Sequence, residues 1–460
     1  MKIRSLYILL GVLLVGIALG CNFQQKEPVA KYDLEQIQDS GVLRVITLYG
    51  STSYFQYRGQ DMGFQYELAS QFAEYLGVEL EVLVANNIEE MRSMLLQGKG
   101  DLIAFPLPYN FGWKDSLLYC GEETITHQVL VQRNRWRPAP LKDVTELIGK
   151  EVYVKPGRFL QRINNLNEEV GGGIIIHNVE NDSLSLEDLI TQVAQGKIDY
   201  TVANNDLAML NQTYYPNLDV SMAVGHDQRS YWAVRKECTQ LAEIVNRWHD
   251  ENVTSPNYTA SMKRYFELSK SKVIFPIMSI KEGKISQYDN LFRQYAKEIG
   301  WDWRLLASLA YNESNFDTTA VSWAGAKGLM QLMPRTAKAM EVPEGKEQNP
   351  EESIKGAVKY IGYTASTFKS IPEPERIKFI LAAYNSGTGH ITDAMALAEK
   401  YGANKLVWDD NVEKYILLKS NAEYFNDPVC KHGYFRGIET YNFVRDIIQR
   451  YNRYKEIIKE

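Results

Sequence analysis

The chain has 460 residues, 45% hydrophobic and 23% charged, which is too long for one ordinary core and normal in composition for globular domains. Its mild net charge of −6 argues against a nucleic-acid binder, which would usually show a basic patch or stripe. Twenty-nine tyrosines and eight tryptophans supply packing first, and beyond that faces able to stack on sugars or peptides.

Residues 1–20 read as an export signal: Lys2 and Arg4 precede an apolar run from Leu6 to Gly20 that is short for a membrane span of about 20 residues. The sequence "IALGC" resembles the lipobox of bacterial lipoproteins, with Ala18 where leucine is usual, and implies acylation of Cys21. An ordinary signal peptide or a single N-terminal anchor is the alternative. Residues 21–32 then form a tether, and the implied location is the periplasmic face of the outer membrane, since Asn22 is not the aspartate that often retains lipoproteins at the inner one. Three cysteines remain, Cys120, Cys238 and Cys430. Cys120 and Cys238 share one region and a disulfide between them is open. The six histidines are scattered, with no cysteine or histidine cluster at metal-ligand spacing, so neither a metal nor a cofactor is expected.

Residues 33–265 alternate β-rich and amphipathic runs: "VLRVIT", "GFQYELASQFAEYLG", "ELEVLV", then "IEEMRSMLLQGKGDLIAF". This predicts an α/β domain with a largely parallel sheet. "MLLQGKGDLIAF" is echoed by "TQVAQGKIDYTVA", each with Gln-Gly-Lys closing a helix and an aspartate (Asp101, Asp199) opening a strand. The stretch from "GVLRVITLYG" to "GVELEVL" resembles the extracellular solute-binding proteins of amino-acid importers, which implies two lobes around a hinged cleft, crossed near Gln132 and Gln228. Two positions depart from that family. Trp113, in "NFGWKDSLLYC", stands where the arginine that grips a ligand carboxylate would be. Asn204 stands where the acid that holds the α-amino group would be. An indole cannot replace a bidentate clamp. The cleft flanked by Trp113 and Asn204 is therefore expected to take a muropeptide or a partner protein rather than a free amino acid.

After a linker, residues 266–284, strand signals fade, and residues 285–460 read as all-α. In "LLASLAYNES" Leu306, Leu309 and Ala310 recur at helical spacing, and Glu313 falls on the same apolar face. A glutamate there must be hydrogen-bonded or kept neutral. "GAKGLMQLMPRTA" places Gly325 and Gly328 before Met330 and Gln331, read as the start of the next helix, and "LAAYNSGTGHI" places Tyr384 and Asn385 before Gly387. Polar side chains in apolar runs beside glycines suit a sugar-binding groove.

These three motifs, in this order, together with "HGYFRGIETYNFVRDI", resemble the lysozyme-like domain of bacterial soluble-type lytic transglycosylases. The resemblance implies non-hydrolytic cleavage of the β-1,4 bond between N-acetylmuramic acid and N-acetylglucosamine in peptidoglycan strands, leaving 1,6-anhydro ends. It makes Glu313 the sole catalytic acid and base, raised in pKa by its apolar surroundings. It gives Ser314 a role in fixing the Glu313 loop. Met330 (through its backbone) and Gln331 would contact N-acetyl groups, and Tyr384 and Asn385 would orient Glu313 or substrate. Phe443 departs from the family, which usually carries a tyrosine there, and Tyr441 lies on the wrong helical face to replace it. Most glycosidases use two carboxylates; Asp317 is the candidate to check and reads better as a loop cap. Two alternatives remain: a wall-bound, muropeptide-sensing binding protein and a lysozyme-like hydrolase.

Overall fold

The computed structural model describes residues 32–109, 111–135, 138–180, 184–268, 270 and 284–458. The export signal, Cys21 and most of the tether and linker lie outside the described residues.

The first half folds as two α/β lobes. Strands β1 (Val42–Leu48), β4 (Glu79–Ala85) and β5 (Leu102–Pro108) are parallel, as "VLRVIT" and its neighbours predict. Both sheet faces are covered, by Leu68 and Phe72 of helix Phe64–Leu76 and by Met91 and Leu95 of helix Ile88–Leu96. The antiparallel strands β6 (Leu117–Thr126) and β12 (Gln228–Arg235) complete the order β4-β1-β5-β12-β6. The second lobe has β7 (Gln128–Arg133), β8 (Glu151–Val154), β9 (Ile175–Asn178), β10 (Tyr200–Asn204) and β11 (Leu218–Asp219) in the order β11-β7-β10-β8-β9. The chain crosses between lobes at His127 and returns between Asp219 and Gln228. Gln132 lies inside β7, its buried amide bonded to the backbone of Leu141 at both ends.

The two Gln-Gly-Lys turns are real counterparts. Gly98 (φ 72°) and Gly196 (φ 78°) are both left-handed and each turns a helix toward a strand. Cys120 and Cys238 are buried and free, so the open disulfide is not formed.

Two short strands escaped the sequence reading. Phe55–Tyr57 (β2) and Gln60–Met62 (β3) pair as a hairpin whose tip is Arg58-Gly59, with φ of 50° and 73°. Two successive positive φ values define the tight turn that matches strand twist, and the hairpin projects away from the first lobe.

From Asp289 to Ile457 the described chain is helical, around one core that includes Leu305, Leu306, Leu309, Phe379, Leu381 and Ile447. Helix Trp303–Ser314 begins at an Asp302 cap and ends where Asn315 turns left-handed (φ 53°). Residues 303–311 are buried throughout, so the helix is a rigid rod through the core. Among the described residues no helix is long and apolar enough to cross a membrane. The halves dock: Trp323 and Phe425 of the helical part pack on the first lobe's core, where Tyr434 is buried.

Candidate active site

Glu313 sits one residue before the end of its helix, where the rod leaves the core and meets a cavity of about 620 Å³. Its side chain is 3% exposed, as the apolar spacing predicts. Ser314 donates to the carbonyl of Leu329 (2.7 Å) and so ties the end of the Glu313 helix to the glycine-rich turn that follows.

That turn is not the start of a helix. Lys327 pairs with Leu332 in an isolated bridge, Gln331 is left-handed (φ 49°), and the next helix begins at Pro334. Gly328 is required: with φ 78°, a Cβ there would lie 2.0 Å from the carbonyl oxygen of Glu347. Met330 is buried, its N–H donating to Ser353 (3.1 Å) and its carbonyl accepting from Tyr384 (2.7 Å). Both groups expected to meet substrate are thus engaged within the domain. The Gln331 amide likewise donates to the carbonyls of Gly328 (2.8 Å) and Ala320 (3.0 Å). Tyr384 braces this turn rather than bonding Glu313, and burial pushes its phenol far above the ordinary range. Asn385 is buried and lines the cavity beside Glu313 and Gln331.

What satisfies the Glu313 carboxylate comes from the other half of the molecule. The hairpin tip enters the cavity, and Arg58 Nη2 donates to both carboxylate oxygens at 3.0 and 3.1 Å. Arg58 Nη1 donates to the Gln331 carbonyl (2.9 Å) and Nε to the Asn385 carbonyl (3.1 Å). Burial opposes the charge on Arg58, but Glu313 and the tyrosines around it outweigh that and hold the guanidinium above its ordinary range. Gly387 allows the approach, since a Cβ there would lie 3.2 Å from the Gly59 nitrogen. The hairpin is also held from the side, where His390 Nε2 meets the Gln56 carbonyl at 2.9 Å.

The first half supplies further cavity walls, Tyr57, Tyr214 and Tyr215, and the linker supplies Lys270. Burial pushes the Lys270 amine down to about 7, although it donates to Thr213 and the Tyr265 carbonyl. A second junction gathers both lobes and the helical part around buried Glu187, which accepts from Ser51 and Tyr434 with Arg436 at 3.6 Å. A cavity of about 350 Å³ beside it is lined by Tyr49 and Lys155 of the two lobes and by Ser420 and Phe425.

The remaining expected residues lie apart. Trp113 packs on the first lobe's core under the Arg92 guanidinium, and Asn204 pairs with Gln128 where the chain enters the second lobe. Neither lines the Glu313 cavity. Asp317 is a loop cap, accepting from the Thr319 backbone and hydroxyl (2.8 and 2.7 Å). Phe443 lines the cavity, whereas Tyr441 does not. Glu439 and Asp446, on the helix Gly437–Ile457, line it too, two acids that the sequence motifs do not single out. Among the described residues no histidine, cysteine, aspartate and glutamate side chains cluster to hold a metal ion.

Residues 290–407 match the Transglycosylase SLT domain, and residues 43–268 match the bacterial extracellular solute-binding proteins, family 3. A solved structure of an ancestral cationic amino acid solute binding protein aligns with 51% of this chain and 99% of its own at 21% identity and a TM-score of 0.44. A protein of Pseudomonas fluorescens named membrane-bound lytic murein transglycosylase F is 33% identical over 427 residues, 91% of this chain and 86% of its own length. One of the same name from Stutzerimonas stutzeri is 33% identical over 96% of this chain and 90% of its own. With both domains matched in order and both partners of the fusion present in single relatives, the chain belongs to the membrane-bound lytic murein transglycosylase F family.

Proposed function

We propose that this lytic transglycosylase of peptidoglycan cleaves the N-acetylmuramic acid–N-acetylglucosamine β-1,4 bond with Glu313 as its one acid and base. The carboxylic acid of Glu313 protonates the glycosidic oxygen as the C1–O bond breaks. The carboxylate so formed accepts the proton of the muramoyl C6 hydroxyl while O6 bonds to C1, closing the 1,6-anhydro ring without consuming water. The substrate's N-acetyl group stabilises the positive charge at C1, a recognised exception to two-carboxylate catalysis. The observation that carries this reading is Glu313 itself, a carboxylate buried at the end of a rigid apolar rod yet facing a cavity of about 620 Å³.

The same reading makes the first domain a regulator. Arg58 holds both oxygens of the Glu313 carboxylate, the group that must reach the glycosidic oxygen. Arg58 also stands in the wall of the cavity that Glu313 faces. The resting arrangement is therefore shut, and a muropeptide bound between the lobes would withdraw the hairpin. A lipid on Cys21 would hold the enzyme at the periplasmic face of the outer membrane.

The test is mass spectrometry of purified peptidoglycan digested by the protein from residue 22 onward, by its Arg58→Ala variant, and by each of these with Glu313→Gln added. Anhydro products, lighter than hydrolytic ones by one water, are expected from the first pair. Glu313→Gln should lower their yield by roughly 10²–10⁴. Because Glu439 and Asp446 share the cavity, a hydrolase remains the second reading. Reducing-end products that vanish with Glu439→Gln or Asp446→Asn would establish it and sink the transglycosylase.

A further inference from the structure

Thr440 lies in the first turn of the helix Gly437–Ile457 and is 0% exposed. Its hydroxyl donates to Asn385 Oδ1 at 2.6 Å, joining two helices beside the cavity. A carboxamide has one acceptor oxygen and one donor NH2 of nearly equal shape, so a bare pocket does not decide which faces which way. A hydroxyl can meet either end, and here it donates to Oδ1 and pins the amide from that side. With Oδ1 on Thr440, the NH2 is the other end of an amide whose residue lines the cavity shared with Glu313. Phe443, three residues later on the same helix and also lining the cavity, carries no hydroxyl with which to do this.

We propose that Thr440 is a positioning residue for the glycan reaction, holding the Asn385 amide in one place on the cavity wall that it shares with Glu313. The inference rests on the reading of this cavity as the cleavage site. It assigns a role to a buried threonine outside the three motifs that mark that site.

The experiment uses the full chain, purified in detergent and carrying Arg58→Ala to leave the cavity open. Release of muropeptides from solubilised glycan strands is measured for this parent and for Thr440→Val, Thr440→Ser, Asn385→Ala and the Thr440→Val/Asn385→Ala pair, with crystal structures of the parent and of Thr440→Val. Loss of one hydrogen bond to an oriented group predicts that Thr440→Val lowers kcat roughly tenfold with an almost unchanged KM. Thr440→Ser, which keeps the hydroxyl, should retain most of the rate. Asn385→Ala should cost at least as much as Thr440→Val, and adding Thr440→Val to it should cost nothing more, because the threonine acts through the amide. A Thr440→Val protein with the parent's kcat, or two effects that multiply, would overturn the proposal. A parent that releases no product would instead count against the cleavage reading. The crystal structures then decide: Asn385 must leave its parental side-chain position in Thr440→Val, and an unmoved Asn385 would refute the positioning role.

Discussion

Two buried ion pairs in this molecule use the same chemistry to opposite ends. Lys419 Nζ lies 2.5 Å from Asp393 inside the helical domain, with side chains 0% and 3% exposed. The Asp393 oxygens also accept from the backbone of Lys431 (3.0 Å) and His432 (2.9 Å), and the Lys419 amine meets His390 Nδ1 at 3.2 Å. Burial presses the Lys419 amine below its ordinary range, and Asp393 offsets part of that. Every partner belongs to one domain, so the pair survives any movement between halves. The Arg58–Glu313 pair is nearly as buried, 9% and 3% exposed, but its halves come from different domains and a cavity adjoins it. Withdrawal of one hairpin removes the guanidinium whole. A buried pair within one domain is a fixed part of that fold, and a buried pair across two is a separable contact.

The largest expected effect comes from breaking the fixed pair. Lys419→Met leaves the Asp393 carboxylate buried without its countercharge, which costs about 3–5 kcal/mol. Thermal unfolding should show the helical domain melting well below the parent. Adding Asp393→Asn should recover part of the loss, because the orphaned charge rather than the missing contact is what destabilises. Equal melting of Lys419→Met and parent would mean that the pair is not closed to water.

Breaking the separable pair should act on rate more than on folding. Truncating Arg58 to alanine disfavours the docked arrangement by about 2–5 kcal/mol, much of it the penalty of leaving Glu313 unpaired. Muropeptide release by the full chain should therefore rise about tenfold or more, with Arg58→Lys intermediate because one ammonium cannot bond both carboxylate oxygens and two carbonyls in the same plane. An Arg58→Ala protein no faster than the parent would show that the hairpin does not restrain the enzyme.

How much of this the sequence discloses differs between the same two regions. Glu313 is legible because helical periodicity puts an acid on an apolar face, and the glycine-rich and Tyr-Asn motifs mark the walls around it. The two α/β lobes are legible for the same reason, from runs long enough to show a period. Arg58 is not. Its strands are three residues each, too short for a pattern, and its contact spans 255 residues of sequence. The only local signal is Arg-Gly after the aromatic-containing triplet Phe55–Tyr57, which fits any tight turn. Gln331 departs from its pattern for a different reason: "GLMQLMP" looks like a helix start, but the chain stays in a turn until Pro334, the favoured first helical residue. The partners of Tyr384 and Met330 are backbone atoms, which side-chain identities do not announce.

The smallest effect expected is one of pH, at the point where the two regions meet. His390 bridges them, its Nε2 on the Gln56 carbonyl of the hairpin and its Nδ1 facing the Lys419 ammonium. Since a carbonyl only accepts and an ammonium only donates, the ring must carry its proton on Nε2 and stay neutral. Burial, then Lys419, hold its pKa well below the ordinary value, with His432 adding to the same direction and Phe435 stacked on the ring. Above that ordinary value of about 6.5 the ring is neutral in both folded and unfolded chains and contributes no pH dependence. As pH falls through it, the unfolded chain takes up a proton that the native one refuses, so stability is lost by up to about 1.4 kcal/mol per unit. The unfolding midpoint should fall between pH 7 and 5 by less in His390→Gln, which keeps an amide donor for the Gln56 carbonyl but does not titrate. Half-buried His432, also depressed, retains its share of the slope in both proteins. A His390→Gln protein with the parent's full pH slope would place the titration elsewhere and leave the hairpin's side contact indifferent to acid.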